Sequence, residues 1–256
     1  ITLHTDTLYR SAEYGDNWCI TWADDDSQIT SMDDGDWLGS RAGGENRRGF
    51  HNRLYRIIGD ARDFERQELT GYPDFSGPEG SWFGYGIICV DGVVYSAASR
   101  TPGDAWSGPF RGIKLLKSAD GGQSWSRVDR HGAERRLAAD DEARNLDTAE
   151  EMFSLEEFGR PHLQQSAYPF SFVDFVQHGQ NNGLAPDDYI YVYGPEGAHA
   201  HELLLARVEK SQLGERDKWR YWSGEDAGRP VWSPDIEQRR PVHVFPDRSA
   251  GGDFFG

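Results

Sequence analysis

The chain has 256 residues, with 30 Gly, 12 Pro and 37% hydrophobic residues, which suits one large all-β domain of many short strands and turns. A formal charge of −16 argues against nucleic acid or an anionic membrane surface as a partner. No run approaches the ~20 apolar residues of a membrane span.

Three copies of one strand order follow along the chain. The first has Cys19-Ile20-Thr21-Trp22, the turn Asp24-Asp25-Asp26, a second strand from Ile29 to Met32, and a third, Leu54-Tyr55-Arg56-Ile57-Ile58. The second reads Gly86 to Val90, an Asp91-Gly92 turn, Val93 to Ala97, then Ile113 to Lys117. The third reads Phe172 to Val176, then Asp187-Asp188, Tyr189 to Tyr193, and Leu203 to Val208. Aromatic elements at Trp125 and Trp219-Arg220-Tyr221-Trp222 close the later copies. Repeated antiparallel units of this kind are the pattern of β-propeller blades. A propeller binds its ligand where the innermost strands meet the axis, so function is expected at the ends of each copy's first strand.

Between the second and third copies, residues 130–159 are charged and include Ala-Glu-Arg-Arg-Leu-Ala-Ala, which favours helix. They are expected to form a helical insertion outside the blades. Near the C-terminus, Pro241-Val242-His243-Val244-Phe245 reads as the start of a fourth blade. Three to four blades cannot close a ring and would leave a bare sheet edge. The chain is therefore read as a single, incomplete propeller domain over 1–256.

Two cysteines, Cys19 and Cys89, lie in first strands. Buried free thiols and a bridge between neighbouring inner strands both fit them. Ser118-Ala119-Asp120-Gly121-Gly122-Gln123-Ser124-Trp125 fits the Asp-box spacing, Ser-x-Asp-x-Gly-x-x-Trp. There Asp120 is expected to accept backbone amides, Gly122 to take a positive φ, and Trp125 to pack into the blade. That role is structural.

The chemistry is expected elsewhere. Gly15-Asp16-Asn17-Trp18 precedes the first inner strand, and Met32-Asp33-Asp34-Gly35-Asp36-Trp37 closes the next. A strand, a turn and a return strand bring Asp16 and Asp34 to one end of the hairpin. Two carboxylates on one rim are what glycoside cleavage requires, one to protonate the leaving oxygen and one to attack or to activate water. Asp16 and Asp34 are thus the candidate catalytic pair. Trp18, Trp37, Asp36, Asp174 on the third inner strand, and Gln177 and His178 after it are candidate substrate-binding residues. Asp24, Asp25 and Asp26 read as turn residues. His162, His199 and His201 show no metal-ligand spacing, no phosphate loop or Gly-x-Ser-x-Gly elbow occurs, and neither metal nor cofactor is expected.

The runs Gly15-Asp16-Asn17-Trp18, Thr21-Trp22-Ala23-Asp24-Asp25 and Asp34-Gly35-Asp36 resemble the N-terminal signature of the domain of unknown function 4185 family. Gly86 to Tyr95, Asp187 to Pro195, Leu204 to Val208, Trp232-Ser233 and Arg240-Pro241-Val242 continue the likeness in order. Asp33 is a departure, since the family usually carries Gly in this loop. The resemblance implies a five-bladed propeller, and through glycoside hydrolase family 183 an endo-acting, retaining D-arabinanase with paired aspartates, acting on mycobacterial arabinogalactan and lipoarabinomannan. The expected partner is a polysaccharide, and the expected location is secreted or cell-envelope. A non-catalytic, carbohydrate-binding or surface-interaction propeller is the alternative.

Overall fold

The computed structural model describes residues 5–7, 15–38, 50–73, 82–100, 110–138, 151–158, 168–197 and 201–246. They form three antiparallel sheets, with one short α-helix and a few 3-10 turns. The first sheet is a meander of β1 (Ile20–Trp22), β2 (Gln28–Gly35), β3 (Phe50–Asp60) and β4 (Asp63–Glu68). The second runs β5 (Trp82–Val90), β6 (Val93–Arg100), β7 (Gly112–Ser118), β8 (Ser126–Val128) and β9 (Glu134–Arg136), with β10 (Phe153–Ser154) added beside β7 and followed by α1 (Leu155–Phe158). The third runs β11 (Asp174–Val176), β12 (Tyr189–Pro195), β13 (Glu202–Glu209), β14 (Arg220–Asp226) and β15 (Arg229–Ser233), with β16 (His243–Val244) beside β13. The all-β expectation is met, and the described sheets do not close into a ring.

Burial along the strands shows how the sheets stack. The second sheet is buried on both faces. Ile87, Cys89, Val94, Ala98 and Leu116 pack with Ile29 and Leu54 of the first sheet. Ile88, Val90, Ala97, Ile113 and Leu115 pack with Ile190, Val192, Ala206 and Val208 of the third. This explains why β5 and β6 are nearly continuous apolar runs, as any strand covered on both sides must be. By contrast β12 alternates, burying Ile190 and Val192 while Tyr189, Tyr191 and Tyr193 stay half-exposed. One of its faces has a neighbouring sheet and the other has none among the described residues.

Two expectations are corrected here. Residues Glu134–Arg136 form an edge strand paired with β8, and Phe153–Ser154 pair with β7. Met152 and Phe153 are core residues, so the described parts of 130–159 belong to the sheet rather than to a helical insertion, apart from the single turn of α1. Ladder hydrogen bonds and the burial of Phe153 outweigh the helix propensity of Ala-Glu-Arg-Arg; residues 139–150 lie outside the described ones. Likewise His243 and Val244 pair with Leu203 and Glu202 of β13 rather than starting a new sheet. The reason is visible in the register. β14 covers only Ala206 and Arg207 of β13, leaving the first part of that strand free to accept β16. The second sheet repeats the device, with β8 on Leu115–Lys117 and β10 on Gly112 and Ile113.

The first strands of the three sheets lie side by side and run in one direction. Cys19 Sγ donates to the Tyr85 carbonyl at 3.1 Å, and the Cys89 amide donates to Thr21 Oγ1 at 2.6 Å. A Cβ on Gly86 would sit 2.4 Å from the Val173 carbonyl oxygen, so only glycine permits this approach of β5 to β11. Both cysteines are free thiols.

Candidate active site

Because the inner strands are parallel, their N-terminal ends share one rim. Just before β1, the peptide of Asp16 exchanges two hydrogen bonds of 2.9 Å with that of Asp33 near the end of β2. This pairing brings Asp16, Asp33 and Asp34 together. Asp34 follows with a left-handed φ of 49°, and its carboxylate lies 3.2 Å from His51 Nδ1 on β3. Asp16 and Asp34 are both exposed.

Asp33 is fully buried. It shares a β2 face with Ile29 and Ser31, by the period of two, and so points toward the second sheet. Its Oδ1 accepts from Asn52 Nδ2 at 2.7 Å and from the Gly84 amide at 3.0 Å. Asn52 is held in turn by Ser31 at 2.9 Å and by the Tyr72 hydroxyl at 2.6 Å. Burial pushes the Asp33 carboxyl well above the usual carboxylate range; the hydrogen bonds from Gly84 and Asn52 oppose this, and the charges of Asp34 and Asp16 add to it. Asp16 is also raised, first by burial and then by the charge of Asp34. Two carboxylates with different environments at one rim are a common origin of separate acid and base roles.

Tyr85 enters the same rim through a defect in the ladder. The register of β5 against β6 slips between Gly84 and Gly86, leaving Tyr85 as the extra residue of a β-bulge. A Cβ on Gly84 would fall 2.3 Å from Asn52 Nδ2 and 2.5 Å from Ser31 Oγ. The Tyr85 ring packs between Phe172, at 5.3 Å between centroids, and Phe110, at 5.6 Å. Burial pushes its phenol far up, and the charges of Asp33, Asp34 and Asp16 push it further. From the third sheet, Asp174 at the start of β11 also reaches this end. Its charge helps raise the Cys19 thiol to about 12, after burial as the main cause. Asp174 touches solvent, yet surrounding protein displaces enough water to raise its carboxyl, against the opposing bond from the Phe175 amide at 2.9 Å.

The remaining candidates separate from this cluster. Trp18 and Trp37 meet edge to face at 5.0 Å, and Trp37 packs on Tyr55 at 5.5 Å. Tyr55 lies on the face of β3 opposite Leu54, so the tryptophan pair belongs to the first sheet's outer face, away from Asp33. Asp36, half-buried beside Trp37, acts on the Tyr55 hydroxyl electrostatically. Gln177 and His178 sit at the end of the first strands opposite to Asp16 and Asp34. Three residues of β11 separate them from the rim, about 10 Å of strand. The Gln177 side chain is engaged in structure: its Oε1 accepts from Thr21 Oγ1 at 2.6 Å and from the Trp22 amide at 3.0 Å, and its Nε2 donates to the Trp22 carbonyl at 2.7 Å. With the Cys89 amide on Thr21, these bonds tie the first strands of all three sheets together. The His178 amide is bound by Asn182 at 2.8 Å.

Asp33, Asn52 and Tyr85 are the rim residues that sequence reasoning passed over. The signal for Tyr85 was its position between two glycines inside an apolar strand, which marks a bulge or a close backbone approach. The signal for Asp33 was its phase with Ile29 on an alternating strand.

A cleft of about 240 Å³ lies elsewhere, lined by Arg130, His131, Phe158, Arg216, Tyr221 and Asp235 among others. Both arginines are already bound by Glu157. Among the described residues no group of three His, Cys, Asp or Glu side chains is arranged to hold a metal ion, and no helix is long and apolar enough to cross a membrane.

The described residues thus form stacked antiparallel sheets with a group of carboxylates at the starts of their first strands. Residues 67–251 match the family model described as Domain of unknown function (DUF4185), and the chain belongs to that family. The matched span begins within β4, so Asp16, Asp33 and Asp34 lie upstream of it. No curated protein matches the chain. Among solved structures, the chain is similar to a crystal structure of a "putative hydrolase" from Bacteroides ovatus, with 11% identity and a TM-score of 0.44. The alignment covers 89% of this chain and 56% of that one, so the chain spans little more than half of that protein's length.

Proposed function

We propose that the protein is a glycoside hydrolase, endo-acting and retaining, on a furanoside polysaccharide such as mycobacterial D-arabinan. The domain, 1–256, is part of a five-bladed propeller in which the three sheets are successive blades. The observation that carries the proposal is the convergence of Asp16 and Asp34 beside buried Asp33, at the rim where three inner strands begin.

Asp16 is the acid/base. Its raised carboxyl suits donation of a proton to the glycosidic oxygen as the bond to the anomeric carbon breaks. Asp34, exposed and bound to His51, is the nucleophile that forms the glycosyl ester. Water then cleaves that ester, giving its proton to Asp16, so the enzyme returns to its starting state with configuration retained. Asp36 and Asp174 flank the pair and suit hydrogen bonding to sugar hydroxyls. The mechanism uses no cofactor and no metal. Secretion or cell-envelope location fits such a substrate.

The Trp18–Trp37 pair, with Trp18 exposed and Trp37 half-buried on the face away from Asp33, favours a second reading as a non-catalytic carbohydrate-binding module. Incubation with D-arabinan separates the two. The hydrolase releases oligosaccharides, and Asp16→Asn or Asp34→Asn abolishes the release while binding persists. A binding module retains polymer and releases nothing. Near-parental cleavage by either variant would remove that residue from the mechanism.

A further inference from the structure

Asp34 is held in a backbone conformation that its strand does not require. The register of β2 against β3 pairs Asp33 with Asn52 and Gly35 with Phe50, so His51 stands across from Asp34. Between those two pairs Asp34 takes a left-handed φ of 49°, a strained state for a residue other than glycine, and one that persists only where surrounding contacts hold it. One such contact comes from His51, whose Nδ1 lies 3.2 Å from Asp34 Oδ1. The imidazole is set in turn by Phe83 of β5, which it meets edge to face at 5.8 Å between centroids. Phe83 is buried, so the half-exposed His51 ring is braced against the second sheet while it touches Asp34.

We infer that His51 is the positioning residue of the nucleophile, its Nδ1–H holding one oxygen of Asp34 so that the other is presented to the anomeric carbon. The catalytic consequence rests on the glycosidase reading, whereas the contact does not. An ionised carboxylate only accepts hydrogen bonds, so beside charged Asp34 a neutral imidazole must carry its proton on Nδ1. A bond from a ring braced by Phe83 limits rotation of the Asp34 carboxyl. When Oδ2 attacks, the glycosidic bond breaks and its oxygen takes the proton of Asp16. His51 keeps its own proton throughout and ends as donor to the carbonyl oxygen of the glycosyl ester. Alignment of the attacking oxygen counts in the transition state more than in the bound substrate, so the contact acts on turnover rather than on binding.

His51→Asn and His51→Phe, made in the full chain, separate the donor from the ring. Asn places an amide N–H close to where Nδ1 stands and gives up the imidazole. Phe keeps a ring against Phe83 and gives up the donor. In the hydrolase assay on D-arabinan, His51→Phe should lower kcat about 10- to 100-fold with a much smaller change in KM, and His51→Asn should recover most of that loss. A Phe variant that turns over at the parental rate, or an Asn variant as slow as the Phe variant, would overturn the inference. Nitrogen-15 NMR of labelled histidine, assigned through His51→Asn, reads the contact without substrate. At about pH 9, where an ordinary imidazole is neutral, the Nδ1–H form of His51 should predominate in the parent and give way to the Nε2–H form in Asp34→Ala. The same tautomer in both proteins would also overturn the inference. If the parent protein hydrolyses no arabinan, the glycosidase reading fails, while the tautomer still decides whether His51 holds Asp34.

Discussion

Trp125→Ala tests how far the rim depends on packing at the other end of the sheets. Trp125 is 1% exposed, its Nε1–H donates to the Gly122 carbonyl at 3.0 Å, and the edge of one ring meets the face of the other at Tyr72, 5.1 Å between centroids. Tyr72 in turn holds Asn52, which holds Asp33. Truncation removes a fully buried indole and leaves a cavity between the first and second sheets, a loss of about 3–5 kcal/mol. Trp125→Phe retains most of the ring and its contact with Tyr72 but leaves the Gly122 carbonyl without its donor, at about 1–2 kcal/mol. Equilibrium unfolding in urea, followed by far-ultraviolet circular dichroism, measures both. A loss below about 1 kcal/mol for the Ala variant would refute the packing argument. So would a Phe variant as unstable as the Ala variant. Turnover by the folded fraction of the Phe variant should stay near the parental value, since Trp125 does not reach the rim.

Other expectations follow from the same contacts. Glu151 is fully buried, and burial raises its carboxyl to about 7 against the opposing pull of Arg100. Its folded pKa exceeds its ordinary value of 4.5, so its contribution is complete below pH 4.5 and is lost as pH rises through 7. The parent should lose on the order of 3 kcal/mol across that window, and Glu151→Gln should flatten the loss in thermal melts taken from pH 4 to 8. Asp33→Ala should destabilise by about 2–4 kcal/mol by stranding the Asn52 and Gly84 donors, whereas Asp33→Asn, which keeps an acceptor oxygen, should cost less and should gain on the parent as pH rises. Gly86→Ala forces a Cβ to within 2.4 Å of a backbone oxygen and should cost about 1–3 kcal/mol in denaturant unfolding; an unchanged midpoint would show that β5 and β11 can move apart freely.

Much of the strand order was legible because burial writes itself into pattern. Val93–Ala97 and Ile113–Lys117 read as strands, and the structure extends them to Arg100 and Ser118. The Ser118–Trp125 turn was legible as well: Asp120 accepts from Ser118 at 2.8 Å and from the Ser124 amide at 2.9 Å, and Gly122 has a φ of +90°. β4 was missed because Asp-Phe-Glu-Arg-Gln-Glu has a single apolar residue, Phe64, and gains its strand form from the β3 ladder. β9 and β16 were misread for a similar reason. Each is short and takes its conformation from an open stretch of neighbouring strand, which no local pattern announces. At the site, the meeting of Asp16 and Asp34 followed from hairpin geometry. That Gln177 lies at the opposite end of β11 from Asp16 was not legible, because strand direction decides which end of a strand faces which, and an amide side chain reads the same at either end.

The most direct test of the central claim is the stereochemistry of the first product. Proton NMR of the parent protein acting on D-arabinan, recorded before mutarotation, resolves the anomeric configuration of the new reducing end. Attack by Asp34 followed by water activated by Asp16 predicts oligosaccharides whose anomeric configuration matches that of the cleaved linkage. Inverted product, or retained product formed at parental rate by Asp34→Asn, would contradict the account.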